Sequence, residues 1–414
     1  MSLDVNFSEP DEFNCNELHS CIQTVAEIKC IQDFTYHVDY LSGKGENYIA
    51  NVFRVLIKDT DKPDNSVSVI VKTLVNTTRQ ELFHKLHKRE VLAYADVIDK
   101  FKQLQNDLDT EDQIIFPECI TSSKDKGHEV IILEDLLQSG FEIDTKIEKI
   151  QKMDLDKVNF IMSEMAKFHA LSFVYEKLDP KKYEEVKNKF HDLIFQDSFI
   201  CKSNLKDYFT ESFEMSLCAI TDSNTKEKME KIKNKLFKIL KIYTEPKKYN
   251  VFCHGDCWIN NILFRNEEGK TGICFLDFQA MRYANPVTDI IYFLYICTDS
   301  QFRSDHIEDI KKAYYNSLKS FLELFSIDAN IAYPVDEFES DMNEFKVYGL
   351  IIALLELRII TSPQEDVATL DEFEGEELDS IEIECETLFE IRVNDVVREA
   401  VSNGVLDELC EISQ

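Results

Sequence analysis

The stretch Cys253-His254-Gly255-Asp256-Cys257-Trp258-Ile259-Asn260-Asn261, followed by Phe275-Leu276-Asp277-Phe278, decides how the rest of the chain is read. Reduced to its polar skeleton it is H-G-D-x-x-x-x-N and then D-F. In-line phosphoryl transfer needs residue types at this spacing: one Asp orients an acceptor hydroxyl, while an Asn and a second Asp hold magnesium on the donor phosphates. Asp256 is accordingly the candidate catalytic base, Asn261 and Asp277 are the candidate metal ligands, and His254 supports the loop backbone. A loop carboxylate can also do no more than cap local N–H groups. For Asp256 the agreement of three separate parts favours the chemical role.

Upstream, Phe34 to Leu41 and Tyr48 to Ile57 read as two strands around Ser42-Gly43-Lys44-Gly45-Glu46-Asn47. The chain has only ten glycines. Two placed together here favour a loop whose N–H groups approach phosphate over an ordinary hairpin turn, and they make Gly43, Gly45, Glu46 and Asn47 candidates for nucleotide binding. In a third strand, Ser66 to Leu74, alternation puts Lys72 on the same face as Ser68 and Ile70. The helical pattern from Arg79 to Phe101 aligns Phe83, Leu86, Glu90, Val91 and Tyr94 near one stripe. Lys72 and Glu90 fit an ion pair that grips the α and β phosphates, although lysines on strands and glutamates on helices are more often solvated charges. Lys85, Lys88 and Arg89 read as surface residues. A strand pair at Ile114 to Cys119 and Glu129 to Leu133 leads into Glu134-Asp135-Leu136, the expected hinge between two lobes.

From about residue 145 to 250 the pattern is helical, including Lys226 to Ile242, where Met229, Ile232, Leu236 and Ile239 recur at helical spacing. His169, with Ala166, Phe168 and Ala170 beside it, reads as a buried, satisfied histidine without a chemical role. Asn261 to Phe264 and Ile273 to Phe278 read as paired strands, so a hairpin brings Asn261 and Asp277 to one metal. Asp289, after Asn285-Pro286-Val287-Thr288, either caps its helix or braces the catalytic loop from below. The remainder is mostly helical, apart from an acidic, solvent-facing segment from Glu365 to Glu384.

A chain of 414 residues is long enough for two lobes with separate cores. A formal charge of -32 argues against a nucleic-acid partner, which would need a basic face. The start, MSLDVNFSEPDEFNC, has acids where a secretory signal needs a basic start and an apolar run. Ile290 to Cys297 and Val347 to Leu355 fall short of the roughly 20 apolar residues that span a bilayer. Twelve cysteines without a C-x-x-C pair read as reduced thiols, and Cys253 and Cys257 as small buried apolar residues instead of zinc ligands. A cytoplasmic, monomeric enzyme without a membrane span is expected.

The runs GKGENYIANVFRV, SVIVKTL, FHKLHKREVLAYADVIDKF, ILEDL, MAKFHALS, HGDCWINNILF, FLDFQ and RVNDVVREAVSNGVL resemble the ecdysteroid-kinase-like, or CHK-kinase-like, family. That family lies within the aminoglycoside and choline phosphotransferases of protein-kinase-like fold. The resemblance runs from about residue 30 into the final helices. It implies an α+β, bilobal architecture: residues 1–134 as a nucleotide-binding lobe with an antiparallel sheet plus helix, and 135–414 as a larger, mainly helical catalytic and acceptor-binding lobe. It also implies ATP and Mg2+ as cofactors, and a small-molecule hydroxyl acceptor, foremost an ecdysteroid or a related steroid or xenobiotic alcohol. Carried across, Glu134 and Leu136 make backbone contacts to adenine, and Gln279 stands where protein kinases have the glycine of D-F-G.

Protein kinases usually place Lys two residues after the catalytic Asp and follow with A-P-E. Trp258 and the lack of A-P-E favour a small-molecule acceptor instead. A choline- or ethanolamine-type kinase would need an aromatic and acidic cage for the ammonium. A non-catalytic nucleotide- or steroid-binding protein of the same fold would normally have lost the base or a metal ligand, and none is missing here.

Overall fold

The computed structural model describes residues 15–41, 50–62, 64–74, 80–143, 153–200, 205–267, 270–361 and 387–413. The candidate loop residues Gly43, Gly45, Glu46 and Asn47, and the acidic run 365–384, lie outside the described residues.

Strands β1 (Phe34–Tyr40), β2 (Ala50–Asp59), β3 (Ser66–Leu74), β4 (Cys119–Ser123) and β5 (Val130–Glu134) form an antiparallel sheet in the order β1-β2-β3-β5-β4. Strand alternation gives this sheet two different faces. Phe53, Val55, Ile57, Val69, Val71, Val130 and Ile132 share one face, where Leu18, Ile22 and Val25 of the helix Cys15–Ile28 cover them. Full burial of such side chains stabilises by roughly 1.5–3 kcal/mol each, so the register of β2, β3 and β5 is strongly specified. With Val71 committed to that face, Lys72 must point to the other, where it is aligned with Val52 and Ile131. The hydrophobic pattern of β3 thereby aims the lysine.

The helix Gln80–Leu92 continues through a π-helical turn, Ala93–Ile98, into Asp99–Leu104. The sequence pattern predicts one regular helix here. The inserted π turn allows Tyr94, Val97, Ile98 and Phe101 all to be buried, and π turns of this kind concentrate near functional sites. Tyr94 rests edge-on against Phe278 with ring centroids 5.5 Å apart.

Two predicted elements differ. The strand expected at Ile114 to Cys119 lies later, at Cys119–Ser123. Ile114 and Phe116 enter the large core of the helical part, Ile115 makes an isolated parallel bridge to Cys274, and the Gln105 side chain takes up both backbone groups of Ile114. Pro117, which has no N–H to donate to a ladder, separates the two runs. The helix expected over Lys226 to Ile242 is split into Ser223–Glu230 and Leu236–Thr244 by a tight turn at Lys233–Lys235. Met229, Ile232, Leu236 and Ile239 are nevertheless all buried. Periodicity located the apolar face but not the break.

The C-terminal part is mainly helical. Leu155–Leu178 runs along Ser300–Leu324, and Val287–Cys297, buried at every position, packs on Lys346–Thr361. Five short strands are set among these helices: β6 (Phe141–Ile143), β7 (Val251–Cys253), β8 (Ile262–Glu267), β9 (Lys270–Phe275) and β10 (Arg282–Ala284). They pair as β6-β8-β9 and β10-β7. Among the described residues no helix is long and apolar enough to cross a membrane.

Close approach of Val287–Cys297 and Lys346–Thr361 depends on Gly349. A Cβ there would lie 2.6 Å from Tyr295 Cδ2 and 2.8 Å from Ile291 Cγ2. Gly349→Ala gains about 1 kcal/mol of helix propensity, but overpacking a filled core costs about 1–3 kcal/mol. Because both clashes fall on buried side chains, a net loss of stability is expected in urea unfolding. A more stable variant would show that the two helices can part.

Candidate active site

The H-G-D segment leaves β7 at Cys253 and turns at Gly255, whose φ is +88°. A Cβ at this position would stand 2.1 Å from the Ala280 carbonyl oxygen. Both the left-handed backbone and the close approach require glycine.

Asp289 holds this turn. Its Oδ2 accepts the His254 N–H at 2.6 Å and its Oδ1 the Gly255 N–H at 2.9 Å. His169 Nε2 is 3.1 Å from Oδ2, and His169 Nδ1 is 2.8 Å from the Tyr314 hydroxyl. Burial alone would raise the Asp289 carboxyl; the hydrogen bond and charge of His169, with Arg282 and His254, hold it below the usual carboxylate range. Of the two roles open to Asp289, the structure shows the brace, since its side chain serves the preceding loop and the residue before the helix is Pro286. From the other side Arg282 Nη1 donates to the Gly255 carbonyl at 3.2 Å and Nη2 to the Tyr348 hydroxyl at 3.1 Å.

His169, Cys253 and Asp289 place their ligand atoms within 4.8 Å of one another. Metal binding would need a thiolate, whereas burial pushes the Cys253 thiol well up. Its sulfur is directed at the carbonyls of Ala284 and Asn285, as befits a small buried side chain.

Asp256 projects beyond the braced turn. Its Oδ1 accepts from the Tyr292 hydroxyl at 2.7 Å and its Oδ2 from Asn261 Nδ2 at 3.2 Å. Asn261 Nδ2 also donates to the Asp256 carbonyl at 2.8 Å. Burial raises the proton affinity of Asp256 and outweighs the Tyr292 hydrogen bond; the nearby charge of Asp277 raises it further. His254 Nε2 lies 2.8 Å from the Leu276 carbonyl and its Nδ1 3.3 Å from the Asp256 N–H, which assigns the ring proton to Nε2. His254 thus ties the loop to the segment bearing Asp277, the backbone support expected of it. The Leu276 N–H bonds the Asn261 carbonyl at 2.9 Å and Ile262 pairs with Phe275. The hairpin brings Asn261 and Asp277 to the same end of the strand pair.

Asp277 itself has a φ of +65°, uncommon for a residue with a side chain. Lys72 Nζ is 2.8 Å from Asp277 Oδ1 and 2.7 Å from Glu90 Oε2, and Gln279 Nε2 is 3.3 Å from Asp277 Oδ2. Burial would lower the Lys72 pKa, but the carboxylates of Asp277 and Glu90 raise it above the ordinary value and keep it charged. Burial pushes the Glu90 carboxyl up, against the pull of the Lys72 ammonium. So the Lys72, Glu90 and Asp277 cluster lies beside the Asn261 and Asp256 pair, drawn from β3, the helix Gln80–Leu92, the loop after β7 and the residues flanking the β8–β9 hairpin.

Glu134 ends β5, and buried Leu136 opens a short turn to Ser139. Between them Asp135, not singled out in the sequence, is buried and accepts from Arg54 Nε at 2.9 Å, Ser68 Oγ at 2.6 Å and the Leu137 N–H at 3.2 Å. Arg89 corrects a second reading: it is buried instead of lying on the surface. Its Nη1 donates to the Met281 carbonyl at 2.7 Å and its guanidinium stacks 5.1 Å from the centre of the Phe190 ring. Neither Arg89 nor Tyr292 carries a local signal, because their partners lie far away in the chain.

Asp289→Asn deprives the N–H groups of His254 and Gly255 of their charged acceptor and leaves one of them facing an amide NH2, so a loss of about 1.5–3 kcal/mol is expected at neutral pH. The folded-state pKa of Asp289 is depressed, so this contribution is complete above the unfolded value of about 3.9 and disappears as pH falls through the folded one. The stabilities of the two proteins should therefore converge as pH falls below the usual carboxylate range. A gap that stays constant with pH would refute the assignment.

Among curated proteins none matches this chain. Among solved structures it is similar to the microcompartment-associated aminopropanol kinase, at 10% identity over 92% of this chain and 98% of that one, with a TM-score of 0.39. It is also similar to a glucosamine kinase, at 8% identity over 82% of this chain and 81% of that one, with a TM-score of 0.34. The sequence model of the ecdysteroid kinase-like family matches residues 44–327. The chain belongs to the ecdysteroid kinase-like family and is a small-molecule phosphotransferase.

Proposed function

We propose that this protein transfers the γ-phosphoryl group of ATP, in the presence of Mg2+, to a hydroxyl of a small molecule, with an ecdysteroid or a related steroid or xenobiotic alcohol as the acceptor class. The observation that carries this reading is that Lys72 pairs with both Glu90 and Asp277, while Asn261 holds Asp256, whose proton affinity the nearby charge of Asp277 raises.

The donor atoms suit magnesium. Asp277 offers carboxylate oxygens, and Asn261 spends its amide nitrogen on Asp256, which leaves Oδ1 as an acceptor. Hard oxygen donors of this kind match a small divalent cation. Asn261 and Asp277 would hold that ion, which would supply positive charge to offset the phosphates.

Each protein group then has a task. Glu90 keeps Lys72 extended as an ammonium toward the phosphates. Asn261 and Tyr292 fix the rotamer of Asp256, and its raised proton affinity suits it to take the acceptor's hydroxyl proton. The acceptor oxygen bonds to phosphorus as the β–γ bridge breaks, so no covalent enzyme intermediate is needed. Gly43, Gly45, Glu46 and Asn47 would cover the phosphates, and the backbone at Glu134 and Leu136 would meet adenine. The lobe boundary would then fall at the hinge, with 1–134 on the nucleotide side and 135–414 on the acceptor side.

The test is product formation. Purified protein, ATP and Mg2+ are incubated with steroid alcohols, choline and ethanolamine, and phosphorylated products are sought by mass spectrometry. ATP binding without product from any acceptor would point to a binding protein instead. With a competent acceptor, Asp256→Asn should lower turnover by about 10²-fold or more while ATP affinity is retained; unchanged turnover would sink the base assignment.

A further inference from the structure

The helix Lys346–Thr361 carries a second carboxylate, Glu356, toward the same site. Gly349 marks the stripe along which this helix meets Val287–Cys297, its missing Cβ making room for Tyr295 and Ile291. Glu356 follows two helical turns later on that stripe, so it too is directed at Val287–Cys297. From the facing helix Tyr292 reaches across to Asp256 Oδ1 at 2.7 Å. The three groups also act on one another electrostatically. Burial, and then the charge of Asp256, push the Glu356 carboxyl up to about 8. Burial, Asp256 and Glu356 in turn raise the Tyr292 phenol.

Among the described residues Glu356 forms no hydrogen bond and no ion pair, and it is neither sealed from solvent nor exposed. Its neighbours Leu354, Leu355 and Leu357 are fully buried. A half-buried carboxyl group flanked by buried leucines depends on water for its hydrogen bonds, and loses them when a bound acceptor displaces that water. An apolar side chain would be accommodated more readily at this position, so the group is matched to something the protein alone does not supply.

We propose that Glu356 determines acceptor specificity: it receives a second hydrogen-bond donor, a hydroxyl or an ammonium, carried by the same molecule whose hydroxyl meets Asp256. This rests on the reading of Asp256 as the base of a small-molecule phosphotransferase. An acceptor with that second donor gives Glu356 its missing partner. One without it leaves the carboxyl group enclosed and unpaired, and sites of this kind reject the incomplete analogue strongly. The acceptor class is then narrowed to diols, polyols and amino alcohols over simple alcohols.

Three probes sharing one carbon skeleton separate the possibilities: cyclohexanol, cyclohexane-1,2-diol and 2-aminocyclohexanol. Their dissociation constants are measured by NMR titration of the full-length protein, and ATP binding and slow ATP hydrolysis by water are followed in parallel. Wild type should bind the diol or the amino alcohol on the order of tenfold more tightly than cyclohexanol. Glu356→Ala should abolish that preference while ATP still binds. Glu356→Gln distinguishes the donors: its carbonyl still accepts from a hydroxyl, so a preference for the diol survives, whereas a preference for the ammonium falls to the level of the Ala variant. No preference in wild type, or one that persists in Glu356→Ala, overturns the proposal. Absent ATP hydrolysis and product in wild type would count against the phosphotransferase reading alone, because the binding preference is read without turnover.

Discussion

Lys72 Nζ lies 2.7 Å from Glu90 and 2.8 Å from Asp277, and through it a strand, a helix and a hairpin are held to one geometry. The three groups come from positions far apart in sequence and are largely removed from water, so each depends on the others. Removing Lys72 leaves two neighbouring carboxylates without compensation, a far larger penalty than the net gain of the pairing. The surroundings follow from this requirement. β3 must present Lys72 on the face away from the helix Cys15–Ile28, the helix Gln80–Leu92 must bring Glu90 under the sheet, and Asp277 must accept a left-handed backbone to reach the ammonium. Arg89, one residue before Glu90, anchors that helix to the Met281 carbonyl just beyond Asp277.

The catalytic loop is fixed differently. Its backbone is gripped through its N–H groups by Asp289 and through the Gly255 carbonyl by Arg282, and His169 and Tyr314 stand behind Asp289. Backbone anchoring leaves the Asp256 side chain available for chemistry while its position is set by a buried network. Tyr292 and Asn261 then orient the carboxylate. The division of labour is physical: Asp289 and Arg282 hold the backbone, while burial raises the proton affinity of Asp256.

Much of this was legible in the chain. The spacing of Asp256, Asn261 and Asp277, the alternation around Lys72 and the helical stripe bearing Glu90 are local patterns, and the structure brings those residues together. Where the reading failed, a distant partner had intervened. Arg89 looked like a surface cation because nothing nearby in sequence shows the Met281 carbonyl or the Phe190 ring. Asp289 had two equal readings until the His254 and Gly255 N–H groups were seen to converge on it. The strand drawn over Ile114 to Cys119 was displaced because Ile114 and Phe116 have more apolar surface to meet in the helical core than in the sheet.

By itself, the sequence determined the mixed α and β character, the order of the parts and the spacing that sets Asp256, Asn261 and Asp277 as candidates, because these depend on spacing and periodicity over short distances. Only the tertiary structure decided which polar side chains turn inward and what they meet: Asp135 on Arg54 and Ser68, Tyr292 on Asp256, and Asp289 beneath the loop. Burial and partnership are properties of the packed chain. A polar residue reads the same in sequence whether water or a carboxylate awaits it, and the difference appears only when distant segments exclude the water between them.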